Sequence, residues 1–128
     1  MNYVHIVAVL AVFQFFVFGI LVGRARARHG VKAPATTGHE QFDRAFRVHQ
    51  NTLEQLVGFL PALLIASWYW PNAIIAGIGS VYIIGRLVYR HLYLANPAKR
   101  GPGFLLTVVP TFLLLAAAAV GAITGHAA

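Results

Sequence analysis

Cysteine is absent from this 128-residue chain, which excludes disulfides, thiolate nucleophiles and thiolate metal sites. The six histidines are scattered without the spacing of a zinc site, so we expect no metal centre. Charged residues make up only 10% of the chain and hydrophobic residues 59%, which is too apolar for an ordinary soluble domain of this size. The chain is therefore predicted to be a membrane protein.

Four apolar stretches occupy most of the chain, and each approaches the roughly 20 residues that a spanning helix needs. We predict one all-α domain over residues 1–128, an integral membrane bundle of four transmembrane helices at about residues 3–24, 42–70, 73–94 and 103–124. The second helix should begin near residues 39–42, because Glu40 and Asp43 would complement its dipole. No room remains for a soluble catalytic domain, so any activity must be assembled from helix ends and short connections.

The ten Lys and Arg residues all lie in two segments, 24–47 and 86–100, whereas the aromatic connection at 68–72 has none. With four spans both basic segments lie on one side of the membrane, and the positive-inside rule places that side in the cytoplasm. The short chain rich in Ala, Val and Arg favours a bacterial inner membrane. We expect the arginines to attract anionic membrane lipids. Nucleic acid is not an expected partner, because no soluble fold accompanies the basic residues.

A polar face opens the second helix. Arg44, Arg47, Asn51 and Glu54 are spaced by three, four and three residues, so they share one side of a helix and can converge on one ligand. Glu54 lies inside an apolar stretch, where an ionisable side chain is costly. This face is therefore the first candidate for a functional site.

A second polar stripe ends the third helix. Arg86, Tyr89, Arg90 and Tyr93 recur at intervals of three or four residues and reach the same side of the membrane. The compact turn that follows brings Arg100 back toward the interface. Both stripes are thus expected at one end of the bundle.

These residue types suit a ligand that carries carboxylates and an amine, such as a zwitterionic peptide. Arginine forks match carboxylates, and Glu54 can accept an ammonium group. The arginine excess would also lower the pKa of a bound thiol and favour its nucleophilic thiolate. A structural interpretation stays open beside this one, in which Arg and Tyr anchor helix ends and Asn51 and Glu54 pair with Arg47 or a neighbouring helix.

Two segments carry a family resemblance. Residues 42–54, FDRAFRVHQNTLE, closely resemble the second-helix signature of the MAPEG family, the membrane-associated proteins of eicosanoid and glutathione metabolism, and residues 81–93 with Arg100 resemble the matching third-helix segment. The resemblance implies a homotrimer of four-helix subunits that binds glutathione, its co-substrate, between neighbouring subunits at one membrane interface. A lipophilic electrophile or lipid hydroperoxide would reach it from the bilayer.

By matching position, the resemblance implies a set of glutathione-binding residues: Arg26, Arg47, His49, Asn51, Glu54, Tyr89, Tyr93 and Arg100. The position that stabilises the thiolate at the end of the first helix holds Ala27 here, so Arg26, Arg28 and Arg100 are the candidate catalytic residues. Gln55 stands where the leukotriene-synthesising members have tyrosine. The resemblance therefore implies a broad membrane-bound glutathione transferase or peroxidase.

Two other functions stay open. The main alternative is a non-catalytic family member that binds a lipid or presents it to a partner, and the Ala27 and Gln55 departures motivate it. A small multidrug transporter is less favoured, because the first, third and fourth predicted spans contain no acidic residue.

Overall fold

The computed structural model describes residues 1–125, which form four long helices joined by short connections. The helices are α1 (Tyr3–His29), α2 (Glu40–Tyr69), α3 (Asn72–Ala95) and α4 (Gly101–Thr124), with a 3-10 helix (Pro97–Lys99) between α3 and α4. No β-strand occurs in this part of the chain. The all-α prediction is confirmed, and the second helix begins inside the expected window. Residues 126–128 of the predicted domain lie outside the described residues.

Three of the helices, α1, α3 and α4, are long and apolar enough to cross a membrane. The shorter two have 24 residues each, or about 36 Å of helix against a hydrocarbon core of about 30 Å. Helix α2 has 30 residues, but Glu40, Asp43, Arg44 and Arg47 make its first two turns strongly polar. The chain is an integral membrane protein, as expected, whereas the crossing by α2 and the homotrimer stay predictions.

Apolar side chains fill the space between the helices and also cover the outside of the bundle. Inside, the rings of Phe59 and Tyr82 stack with their centroids 3.8 Å apart, and both side chains are buried. Outside, large side chains such as Phe13, Phe16 and Phe112 are well over half exposed. An apolar exterior of this kind fits a protein whose outer surface meets lipid or another subunit.

Helices α3 and α4 touch backbone to backbone at two glycines. A Cβ atom added to Gly103 would lie 2.4 Å from the backbone N and Cα of Tyr89. One added to Gly85 would lie 2.7 Å from the backbone C and O of Leu106. Small residues allow this approach, and it places the hydroxyl of Thr107 beside α3.

Arg44 ties the start of α2 to the end of α3. Its Nη1 donates to the carbonyl oxygens of Leu94 at 2.9 Å and Ala95 at 3.1 Å, which belong to the last turn of α3. Its Nη2 pairs with the Glu40 carboxylate. Carbonyls at a helix C-terminus lack intrahelical partners, so this contact brings the two polar stripes to one end of the bundle.

Candidate functional site

Arg86 is fully buried and links three helices. Its Nη2 donates to the side-chain oxygens of Asn51 at 2.8 Å and Thr52 at 2.9 Å on α2, and its Nη1 donates to Thr107 Oγ1 at 3.2 Å on α4. The two threonine hydroxyls donate to backbone carbonyls of their own helices, so their oxygens are free to accept from Arg86. A buried charge requires such partners.

Asn51 connects Arg86 to Glu54, because it forms a hydrogen bond with each of them. Because guanidinium has no acceptor, the contact with Arg86 fixes which end of the Asn51 amide faces α3. The other end, Nδ2, donates to Glu54 Oε1 at 3.5 Å. The Glu54 side chain is exposed, so a buried arginine, a half-buried amide and an accessible carboxylate stand in one chain of contacts.

Two tyrosines and two further arginines extend this group. Tyr89 and Tyr93 stack with ring centroids 5.5 Å apart, and the Arg86 guanidinium lies 4.3 Å from the centre of the Tyr89 ring. Arg47 of α2 and Arg100 interact electrostatically with the Tyr89 hydroxyl. We refer to the whole group as the polar cluster: Arg47, Asn51, Glu54, Arg86, Tyr89, Tyr93 and Arg100.

The turn between α3 and α4 holds Arg100 at the edge of the polar cluster. Asn96 caps the 3-10 helix by accepting from the Ala98 N–H at 3.1 Å. Arg100 Nη1 donates to the Pro97 carbonyl at 2.9 Å. The side chain is exposed, which leaves its charge accessible to a ligand from solution.

Six of the eight predicted binding residues belong to the polar cluster, whereas His49 lies on the opposite side of α2. Residue 49 is two positions from Asn51, which is about 200° around a helix. The His49 ring stacks on Phe15 of α1 with centroids 4.4 Å apart, and it packs against Gly19 of the same helix. In one subunit, His49 therefore packs against α1 and away from Glu54.

The predicted catalytic arginines of α1 also lie apart from the polar cluster. Arg26 Nη1 donates to the carbonyls of Ala35 at 2.8 Å and Val31 at 3.5 Å, and its guanidinium lies 4.8 Å from the Phe42 ring centre. Arg26 thus braces the α1–α2 loop. Arg28 instead lines a cavity between α1, α2 and α3 that includes no member of the polar cluster.

An apolar groove of about 410 Å³ begins beside Glu54. It lies between α2 and α4, where Phe104, Val108 and Phe112 line it from α4 and Gln55 lines it from α2. Because the groove opens on the apolar outer surface, an apolar molecule could reach Glu54 without leaving the bilayer.

Arg86 is the residue that the sequence-based site omitted. Arg86 belongs to the predicted polar stripe of the third helix but not to the predicted ligand-binding residues. The available signal is an arginine within the third predicted span, residues 73–94, because a charge at such a position must find partners inside the protein.

Fold and site together define a membrane-embedded four-helix protein with a cationic cluster at one end. A family model described as the MAPEG family matches residues 4–120. The chain belongs to this family, and the family prediction is confirmed.

The relatives cover most of the chain. An uncharacterised protein of Synechocystis sp. is 42% identical over 88% of this chain and 82% of its own length. Human microsomal glutathione S-transferase 2 is 36% identical over 90% of this chain and 78% of its own. Leukotriene C4 synthase of Cavia porcellus is 34% identical over 90% of this chain and 77% of its own.

Proposed function

We propose that the protein is a membrane-bound glutathione transferase that activates glutathione as a thiolate for attack on lipophilic electrophiles. The observation that carries the proposal is the chain of contacts from Arg86 through Asn51 to the exposed Glu54. The charges of Arg47 and Arg100 act on Tyr89 of the same cluster. Membership of a family that includes proteins named glutathione S-transferases supports the proposal.

The charges of the polar cluster complement those of glutathione, which has two carboxylates and one ammonium group. Arg47 and Arg100 are exposed cations that can each receive a carboxylate, and Glu54 is the exposed anion that can receive the ammonium. Arg86 is buried, so its part is to hold Asn51 in place. The half-buried Tyr93 can offer its hydroxyl to the ligand, and the buried Tyr89 supports it through ring stacking.

Arg100 is the arginine that we assign to the thiolate. A free cysteine thiol has a pKa of about 8.5, and an adjacent cation lowers it because the thiolate gains a charge-assisted contact. The thiol proton leaves to water, and the sulfur forms a bond to the electrophilic carbon while the leaving group departs with its electron pair. Arg100 acts by electrostatic stabilisation of the thiolate.

A second subunit would complete the site. Arg26 and His49, which the family resemblance assigns to glutathione, contact the α1–α2 loop and α1 respectively, while Asn51 and Glu54 lie on the opposite side of α2, where Asn51 contacts α3. We infer that the two sets reach one ligand when they come from different copies of the chain. This separation supports the predicted homotrimer with glutathione between neighbouring subunits.

The second substrate would enter through the apolar groove beside Glu54. Its wall of Phe104, Val108 and Phe112 suits an apolar electrophile or a lipid hydroperoxide. We place the protein in a bacterial inner membrane with the basic helix ends in the cytoplasm, on the basis of the Synechocystis relative and the charge distribution.

The test is conjugation of glutathione to a chlorinated aromatic electrophile by the detergent-purified protein. Activity should be saturable in glutathione and should fall sharply in Glu54→Gln, whereas Glu40→Gln, an acidic residue outside the polar cluster, should keep it. Lipid binding without any turnover by the folded wild type would favour the non-catalytic alternative. Equal activity of Glu54→Gln and wild type would contradict the site.

A further inference from the structure

A cationic cavity of about 430 Å³ lies between α1, α2 and α3, away from the polar cluster. Arg24 and Arg28 stand one helical turn apart on α1, and Arg90 of α3 completes the set. His29 adds a ring that is stacked on His39 with centroids 3.8 Å apart. Three guanidinium groups therefore border one cavity at the basic end of the bundle.

No acidic side chain neutralises this cavity. The sequence has three acidic residues, and all of them are engaged elsewhere. Glu40 pairs with Arg44, Asp43 accepts from the Gly38 N–H at 3.0 Å, and Glu54 accepts from Asn51. None of the three lines the cavity. Because like charges repel in a partly enclosed space, the cavity favours an anion supplied from outside.

The rest of the lining shows which kind of anion fits. Leu21 lies one turn toward the membrane from Ala25, and both contribute apolar surface below the arginines. The Arg90 guanidinium lies 5.7 Å from the centre of the Phe18 ring, which fixes it over an apolar wall. The oxyanion of a ligand would contact the arginines, and its apolar part would lie along Leu21 toward the bilayer.

We propose that this cavity binds a phosphate group, carried by the headgroup of an anionic membrane lipid or by a free phosphorylated small molecule. A guanidinium group can donate two parallel hydrogen bonds to the oxygens of a phosphate group. Three guanidinium groups provide more donors than one carboxylate can use. The site is separate from the glutathione site and does not depend on it, because the two share no lining residue.

The experiment measures binding of a fluorescent short-chain phosphatidylglycerol to the full-length protein in detergent. The variant is Arg24→Gln/Arg90→Gln, and the control is Lys32→Gln/Lys99→Gln, which removes the same charge from exposed positions outside the cavity. We expect binding to weaken about tenfold or more in the arginine variant, because two charge-assisted contacts are lost, and to be nearly unchanged in the lysine variant.

Competitors identify the source of the phosphate group. Displacement by unlabelled phosphatidylglycerol but not by inorganic phosphate assigns the site to a lipid, and displacement by both assigns it to phosphate itself. Equal binding by the two variants, displacement by the phosphate-free diacylglycerol, or displacement by glutathione would overturn the proposal. If the arginine double variant loses its helical circular dichroism spectrum, Arg24→Gln alone is measured. An affinity of Arg24→Gln equal to that of the wild type then overturns the proposal.

Discussion

The buried guanidinium of Arg86 donates to the side-chain oxygen of Asn51 at 2.8 Å, and this contact orients the polar face of α2 from α3. Asn51 in turn presents its amide nitrogen to Glu54 at 3.5 Å. The residue that organises the candidate glutathione site is thus inaccessible to the ligand, while the residues it organises are accessible. Replacement of Arg86 and of its exposed neighbours should therefore have different consequences.

Replacing Arg86 should cost stability as well as ligand binding. Arg86→Ala removes three hydrogen bonds and leaves a cavity, so we expect the free energy of unfolding to fall by about 3 kcal/mol. Arg47→Ala removes an exposed side chain, so its melting temperature should stay close to that of wild type while glutathione affinity drops. Thermal unfolding and glutathione titration of both variants test this contrast, and equal melting temperatures would contradict it.

Removing the charge of Arg100 should move the pH dependence of the reaction upward. If Arg100 stabilises the thiolate, the pKa of bound glutathione in Arg100→Ala should rise toward the value of about 8.5 for a free thiol. The value of kcat/KM for the electrophile, measured at saturating glutathione, should then fall much more at about pH 6.5 than at about pH 9.

The matched control for Arg100 is Lys99→Ala, which removes a neighbouring exposed cation. Its pH profile should coincide with that of wild type. A profile of Arg100→Ala that is lowered equally at every pH would assign Arg100 to ligand binding alone.

A site shared between subunits should be restored by mixing two defective chains. Glu54→Gln damages the polar cluster, and His49→Leu damages the α1 side while keeping an apolar contact with Phe15. In a closed ring with head-to-tail interfaces, random mixing in equal amounts gives about a quarter of sites with both halves intact. Co-expression should therefore recover about a quarter of wild-type conjugation activity.

No recovery above either variant alone would place both halves in one subunit. Full activity of His49→Leu alone would show that the α1 side does not contribute to the glutathione site. The oligomeric state of the mixed preparation serves as the control for assembly.

Substitution of Gly103 by a residue with a side chain should destabilise the protein, whereas the same substitution at Gly101, two residues earlier, should be tolerated. A Cβ atom at Gly103 would lie 2.4 Å from the backbone of Tyr89, but at Gly101 nothing lies within 4 Å. Gly103→Ala should therefore lower the free energy of unfolding by about 1–3 kcal/mol and weaken glutathione binding by displacing Tyr89. Gly101→Ala should change neither. Similar melting temperatures for the two variants would contradict the close contact of α3 and α4.

Periodicity predicted much of the fold and one face of the site. The spacing of Arg44, Arg47, Asn51 and Glu54 placed them on one side of α2, and the structure links Asn51 to Glu54 there. The start of α2 followed from Glu40 and Asp43, which favour a helix N-terminus. These features depend on residues close together in the chain, so a single sequence contains enough information to predict them.

Contacts between distant residues were not predictable in the same way. Arg86 and Asn51 are 35 residues apart, and which oxygen a buried arginine finds depends on how α2, α3 and α4 pack. The position of His49 against α1 shows a second limit, because the family resemblance grouped it with Asn51 although helix geometry places them on opposite sides. The proposed homotrimer would reconcile the two, because it brings His49 of one copy to the polar cluster of another.

The most direct test of the proposed function is a glutathione titration of the detergent-purified protein, followed through the ultraviolet absorbance of the thiolate. We predict a saturable rise in thiolate at neutral pH for wild type, its loss in Arg100→Ala, and its consumption when a chlorinated aromatic electrophile is added. Folded protein that forms no thiolate at saturating glutathione would contradict the proposed function.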